Sequence, residues 1–209
     1  MPLKHIYNHE PIYGNHAKVQ YTDEEFEKYI YFDVARGQAL NELHLSYTMM
    51  NKSKWRTLAK AIEWQKNNYN VLQNAMFIGG NPEENNVYGY FSWNENGDGI
   101  IALRNPTDEK APLTLTLNKL MGCPKDLKDV KRYNVYNLSN KESYDSYSYG
   151  DKIDLTLQPF EVKIFQFGKE DKRYPNGEAV TDFTISFNYK GEEIDGLCGL
   201  CSWRRLQHT

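Results

Sequence analysis

The chain has 209 residues, a net charge of −3 and a pI near 6.0, long enough for one large domain or two small ones with buried cores. Its lysines and arginines are interspersed with acids, which excludes the basic stripe of a nucleic-acid or anionic-membrane binder. No apolar run reaches membrane-spanning length, and Met1-Pro-Leu-Lys-His5 does not read as a signal peptide.

From the start, Leu3 to Pro11 reads as a short strand, ended by Pro11 and Gly14. His5, Asn8, His9 and Glu10 cluster at its end, the kind of place where a barrel carries a polar site. Thr22-Asp-Glu-Glu25 is a capping box, and Phe26, Tyr29, Ile30 and Asp33-Val34 follow at helical spacing up to a break at Gly37. Ala39, Leu40, Leu43 and Tyr47 give a second apolar helical face. Ser53 is placed to cap a third helix, lined by Trp55, Leu58, Ala59, Ile62 and Trp64. A lone strand leaves its backbone groups unpaired on burial, so a strand followed by helices reads as the tail of a (β/α) barrel cut from something larger. On that reading Phe26, Tyr29 and Ile30 face missing structure, and the segment before Gly37 is poorly anchored. Residues 79–86, Gly79-Gly-Asn-Pro82 and the polar run after it, read as the joint to a second domain.

From Val87 to Phe167 the pattern is that of an antiparallel sandwich. Leu113, Leu115 and Leu117 alternate with Thr114 and Thr116, and Ile153, Leu155 and Leu157 alternate with Asp154 and Thr156. Turn-formers punctuate the runs at Asn94 to Gly99, Asn105 to Asp108 and Tyr149 to Asp151. The fold class expected is therefore α+β: a helical remnant of a barrel end, then an antiparallel β-sandwich. Arg104, before Asn105-Pro106, is expected to bond carbonyls or an acid at the sandwich end. After a charged linker from Lys169 to Gly177, Asp182 to Tyr189 alternates as one strand, and beyond Gly191 the pattern dissolves as if a further β-module were cut short. Cys198-Gly-Leu-Cys201 has CxxC spacing, but Cys123 and His208 do not complete a zinc ligand set, so no metal and no cofactor are expected. Aromatic residues make up 14 %, sixteen of them Tyr. Tyrosine suits strand surfaces and also stacks on sugars, so Tyr88, Tyr90, Trp93 and Tyr147 leave open a stand-alone carbohydrate-binding or interaction module.

Five segments in order carry a resemblance: Trp55-Arg-Thr-Leu-Ala-Lys-Ala-Ile-Glu-Trp64, Gly79-Gly-Asn-Pro82, Val87-Tyr-Gly-Tyr-Phe-Ser-Trp93, Leu103-Arg-Asn-Pro106 and Leu157-Gln-Pro-Phe-Glu-Val162. Their order resembles the C-terminal part of bacterial glycoside hydrolases related to the α-galactosidases, in which a β-sandwich follows the catalytic barrel. Ile6 to Gly14 looks like one of the last barrel strands and its loop. The resemblance implies residues 1–78 as the terminal strand and helices of a (β/α)8 barrel, 79–86 as linker, 87–168 as the sandwich, and 169–209 as linker and start of a further module. It implies a carbohydrate substrate bound through the rest of the barrel, a secreted or periplasmic parent, and catalytic carboxylates on earlier strands. No catalytic residue is carried over to this chain. His5, His9 and Glu10 are carried over as substrate-binding residues at the barrel rim.

Overall fold

The computed structural model of the protein describes residues 3–6, 9–14, 19–135, 143–173, 184–189 and 192–197. The Glu25 backbone N–H donates to Thr22 Oγ1 (3.2 Å) and the Thr22 N–H to Glu25 Oε2 (2.8 Å), and this reciprocal cap starts a helix where the sequence predicts one. With strand β1 (Ile12–Tyr13) before it, helix α1 (Asp23–Val34) leads into strand β2 (His44–Leu45). The two strands pair in parallel, so the three elements form a β–α–β unit. Gly37 follows α1 with φ +74, where a Cβ would run into the Leu72 carbonyl.

Two expectations fail in this unit. The first strand lies later than the sequence suggests, since Leu3–His5 is a 3-10 turn, and it is not alone. Its carbonyls at Pro11 and Tyr13 accept from the N–H groups of His44 (3.0 Å) and Ser46 (2.9 Å). The stretch from Ala39 to Tyr47 is not a helix. It is a loop, β2 and the start of the 3-10 turn Tyr47–Met49, with Leu40, Leu43 and Tyr47 exposed. Its helical spacing never meets a core, and pairing with β1 satisfies the backbone instead.

Helix α2 (Lys52–Asn67) is capped by Asn51, whose Oδ1 accepts from the Lys54 N–H at 2.8 Å, rather than by Ser53. Its buried face is Lys54, Leu58, Ala61, Trp64 and Gln65, and the short helix α3 (Tyr69–Leu72) follows. Next come β3 (Met76–Gly79), β4 (Tyr88–Trp93), β5 (Gly99–Arg104), β6 (Ala111–Thr116), β7 (Val130–Asn134), β8 (Ser143–Tyr147), β9 (Lys152–Leu157) and β10 (Val162–Gly168). They form an antiparallel six-stranded sheet, β3-β4-β5-β10-β7-β8, and a two-stranded sheet, β6-β9. Residues 80–87 connect β3 to β4, with the Gly80 N–H donating to Val87 O at 3.0 Å, so the stretch 79–86 expected as a joint between domains lies within one antiparallel sheet.

The register explains the layering. Phe91, Ile101 and Phe165 lie side by side across β4, β5 and β10, and so do Tyr90, Ala102 and Ile164. Neighbours along a strand point to opposite faces, so each row belongs to a different core. The first row packs with Leu115, Ile153 and Leu157 of the two-stranded sheet. The second packs with Phe26, Ile30, Leu58 and Trp64 of the helices. The protein is thus a helical layer, a central sheet and a small covering sheet, an α+β arrangement holding a β-sandwich. Phe26 and Ile30 are fully buried, which corrects the expectation of a loosely anchored segment before Gly37.

Asn105 organises the end of the sandwich. Its Nδ2 donates to the carbonyls of Glu109 (2.7 Å) and Gln158 (2.9 Å), and its Oδ1 accepts from Thr107 N–H (3.1 Å) and Oγ1 (2.9 Å). The residue is wholly buried. Asn105→Ala is expected to cost about 1–2 kcal/mol, because it removes the donor to the Glu109 and Gln158 carbonyls and the acceptor for Thr107, and a urea midpoint measures it. A change below about 0.5 kcal/mol would mean that water replaces the amide.

Past Gly168, Arg173 turns back onto the sheet, donating to Asn134 O (2.6 Å) with its guanidinium 5.3 Å from the Tyr133 ring. The single strand expected at the tail is a pair: β11 (Thr184–Tyr189) and β12 (Glu192–Leu197) form an antiparallel hairpin. Glu192-Glu-Ile-Asp-Gly-Leu197 carries only two apolar side chains, so the second strand shows no period in the sequence. Cys198, Cys201 and His208 lie outside the described residues.

Candidate functional site

The polar residues singled out at the start of the chain separate into two neighbouring groups. Glu10 stands just before β1. It accepts from Arg36 Nη1 at 2.9 Å, while Arg36 Nε donates to the Tyr90 hydroxyl at 2.7 Å. Asp33, one turn before Arg36 on α1, lies 3.8 Å from the same guanidinium with its side chain about 1 % exposed. It also hydrogen-bonds Glu10. Burial pushes the Asp33 carboxyl up from 3.8 to about 7, Arg36 opposes the shift, and the Glu10 charge adds to it. The Tyr90 hydroxyl is raised by burial, against the pull of Arg36. Two carboxyl groups therefore share one arginine. The group can hold a proton near neutral pH, but Asp33 is closed to solvent, which suits bracing α1 against β1 and β4 better than proton transfer to a substrate.

His9 takes no part in that group. Its Nδ1 lies 2.8 Å from Glu42 Oε2, and His44 Nε2 lies 3.1 Å from the same oxygen. His5 is exposed in the 3-10 turn, outside both groups. Because β1 begins at Ile12, His9 and Glu10 precede the strand instead of following it, which reverses the end at which the sequence places them. Arg36, Glu42 and His44 carry no mark in the sequence, Asp33 reads there only as part of a helical period, and Tyr90 only as a candidate sugar-stacking ring. One signal was available: Asp33 is a lone acid within Ile30-Tyr-Phe-Asp-Val34, and an acid in an apolar helical run is a buried acid in need of a partner.

A separate open cleft of about 680 Å³ is lined by Asn70, Asn74, Trp93, Asn94, Glu95 and Asp126 among others. Asn74 Nδ2 donates to Trp93 O at 3.1 Å, and Asn94 Oδ1 accepts from the N–H groups of Asn96 and Asp98, both at 3.0 Å. Trp93, Tyr90 and Tyr147 are all less than a tenth exposed, so none of these rings offers an open face; Tyr88 is half-buried. Cys123 is buried too, and burial pushes its thiol up to about 12, which leaves no thiolate for chemistry at neutral pH.

No family model matches the sequence, and no curated protein matches it. Solved structures do match. An α-galactosidase from Saccharomyces cerevisiae with raffinose superposes with a TM-score of 0.50 at 12 % identity, over 72 % of this chain and 44 % of the yeast chain. Over that stretch the chain shares the fold of part of the yeast α-galactosidase. α-Galactosidase I from Mortierella vinacea matches with a TM-score of 0.49 at 15 % identity, over 70 % of this chain and 36 % of that one. A family 27 β-L-arabinopyranosidase from Geobacillus stearothermophilus, in complex with arabinose, gives 0.46 at 13 %, over 71 % and 31 %. The chain thus spans less than half the length of these glycosidases. Among the described residues, no helix is long and apolar enough to cross a membrane.

Proposed function

We propose that this chain is the C-terminal part of a glycoside hydrolase acting on α-linked sugars and that by itself it does not hydrolyse them. The observation that carries the reading is the parallel β1–α1–β2 unit, stacked through α1 and α2 on an antiparallel sandwich, in a chain that shares its fold with the yeast α-galactosidase. In this reading the barrel-derived part ends before β3, the sequence-based boundaries of 1–78 and 79–86 giving way to a sandwich that takes in β3, and 169–209 lead into a further β-module. Glycosidases act through two carboxyl groups that flank the scissile bond, and Glu10 is already held by Arg36 and Asp33. Barrel enzymes place catalytic groups at the C-terminal ends of strands. His9 and Glu10 precede β1, so their part here is to brace the opposite end of the strand.

Two measurements test the proposal. The DNA upstream of the Met1 codon should continue in frame and encode further barrel strands; an in-frame stop codon directly before it overturns the reading. Residues 1–209 assayed on aryl α-galactosides between pH 5 and 7 should give no turnover above background, because positioning and charge stabilisation need the whole constellation. Turnover abolished by Glu10→Gln would instead make Glu10 catalytic. A second reading, a carbohydrate-binding module, draws on the cleft beside Trp93, where amide and carboxylate side chains of Asn70, Asn94, Glu95 and Asp126 gather. It requires galacto-oligosaccharide binding that Asn70→Ala and Glu95→Ala weaken.

A further inference from the structure

We propose that His9, Glu42 and His44 form a binding site for a divalent transition-metal ion of the zinc class. One nitrogen from each imidazole and one carboxylate oxygen lie within 4.8 Å of one another, the only such group of three among the described residues. The two imidazoles meet the same oxygen, Glu42 Oε2, at 2.8 Å from His9 Nδ1 and 3.1 Å from His44 Nε2. Zinc binds imidazole nitrogen and carboxylate oxygen at about 2.0–2.2 Å, so neighbouring ligands around a tetrahedral ion stand about 3.3 Å apart. The two nitrogen–oxygen spacings need to open by a few tenths of an ångström to admit the ion, and the two nitrogens stand within 4.8 Å of each other.

The backbone already fixes the three residues. Ile12 of β1 is in register with His44 of β2, and the His44 N–H donates to Pro11 O at 3.0 Å. His9 and Glu42 stand three and two residues before those positions, on adjacent loops at the same end of the strand pair. The ligand side chains are 66 %, 40 % and 47 % exposed for His9, Glu42 and His44, so an ion reaches them without any opening of the fold.

The donor set selects the ion. Two imidazoles and one carboxylate suit zinc, nickel, copper or ferrous iron, whereas magnesium and calcium favour oxygen ligands throughout. Three protein ligands leave the remaining coordination positions to water. The consequence is mechanical. β1 and β2 are paired over only two residues each, and an ion bound by His9 ahead of β1 and by Glu42 and His44 at the start of β2 cross-links the pair. This site stands on its own geometry, whatever the chain's enzymatic origin.

The test uses the full 209-residue protein, stripped with EDTA, in a Cys198→Ser/Cys201→Ser background that removes the CxxC thiols. Calorimetric titration with zinc chloride should show one equivalent bound, and zinc should raise the thermal midpoint while magnesium leaves it unchanged. Loss of an outer-shell partner alone typically weakens metal binding about 10–100-fold, so His44→Ala and Glu42→Gln should each weaken zinc by at least about tenfold. The metal-free midpoints of these surface variants should match the parent. His9→Ala reads the same site from the other loop should either variant unfold. Absence of zinc binding overturns the proposal, as does an affinity that all of these substitutions leave unchanged. An equal response to magnesium overturns the assignment of the ion class.

Discussion

Trp64→Ala is expected to destabilise the protein by about 3–5 kcal/mol, the range for removing a fully buried large aromatic side chain. Trp64 is 0 % exposed and lies 5.8 Å from the Tyr31 ring, centroid to centroid, between α2 and the central sheet. Its indole N–H donates to Gln166 Oε1 on β10 at 3.3 Å, Gln166 Nε2 donates to Asn68 Oδ1 at 2.7 Å, and Asn68 Nδ2 returns to Trp64 O at 2.9 Å. A closed polar ring therefore ties the helical layer to the sheet, and truncation opens a cavity and leaves Gln166 short of a donor together. Trp64→Phe keeps most of the volume and loses the N–H, so it should cost about 1–2 kcal/mol. Trp55 is only part-buried, and Trp55→Ala should cost less than Trp64→Ala. Denaturant midpoints for the three variants check this order. Wild-type stability in Trp64→Ala would mean that the helices and the sandwich fold independently.

The same layering decides what the sequence could reveal. β6 and β9 announce themselves by alternation because the outer face of their sheet is wet: Leu115 and Leu157 are buried, whereas Thr114 and Asp154 hydrogen-bond each other at 2.6 Å on the exposed side. β4 and β5 are buried on both faces, so Tyr88 to Trp93 and Gly99 to Arg104 carry no period and are located only by the turn residues around them. β2 is too short to have a period at all, and a partner thirty-two residues earlier sets its place. The candidate site shows the same limit. His9 and Glu10 are visible as a polar pair at the edge of an apolar segment, but their partners come from the C-terminal turn of α1, the loop before β2 and strand β4. Such convergence is a product of the fold and leaves no local spacing to read.

The buried acid should also set a pH dependence. Asp33 ionises near 3.9 in an unfolded chain and at about 7 in the folded protein, because burial disfavours its charge by more than Arg36 relieves and Glu10 adds to the penalty. Between those values the folded state holds a proton that the unfolded state has lost, so this group's contribution is fully present below about pH 4 and is lost as pH rises through 7. The loss is on the order of 2–4 kcal/mol, near the upper end if Arg36 and Glu10 do not rearrange around the new charge. Asp33→Asn keeps the shape, cannot ionise and still offers an N–H to Glu10. The difference in unfolding free energy between variant and wild type should therefore shift in the variant's favour between pH 4.5 and pH 8. Above pH 8 it should level off. A constant difference across that range would mean that Asp33 ionises in the folded protein much as it does in water, with the Arg36 ion pair offsetting its burial in full.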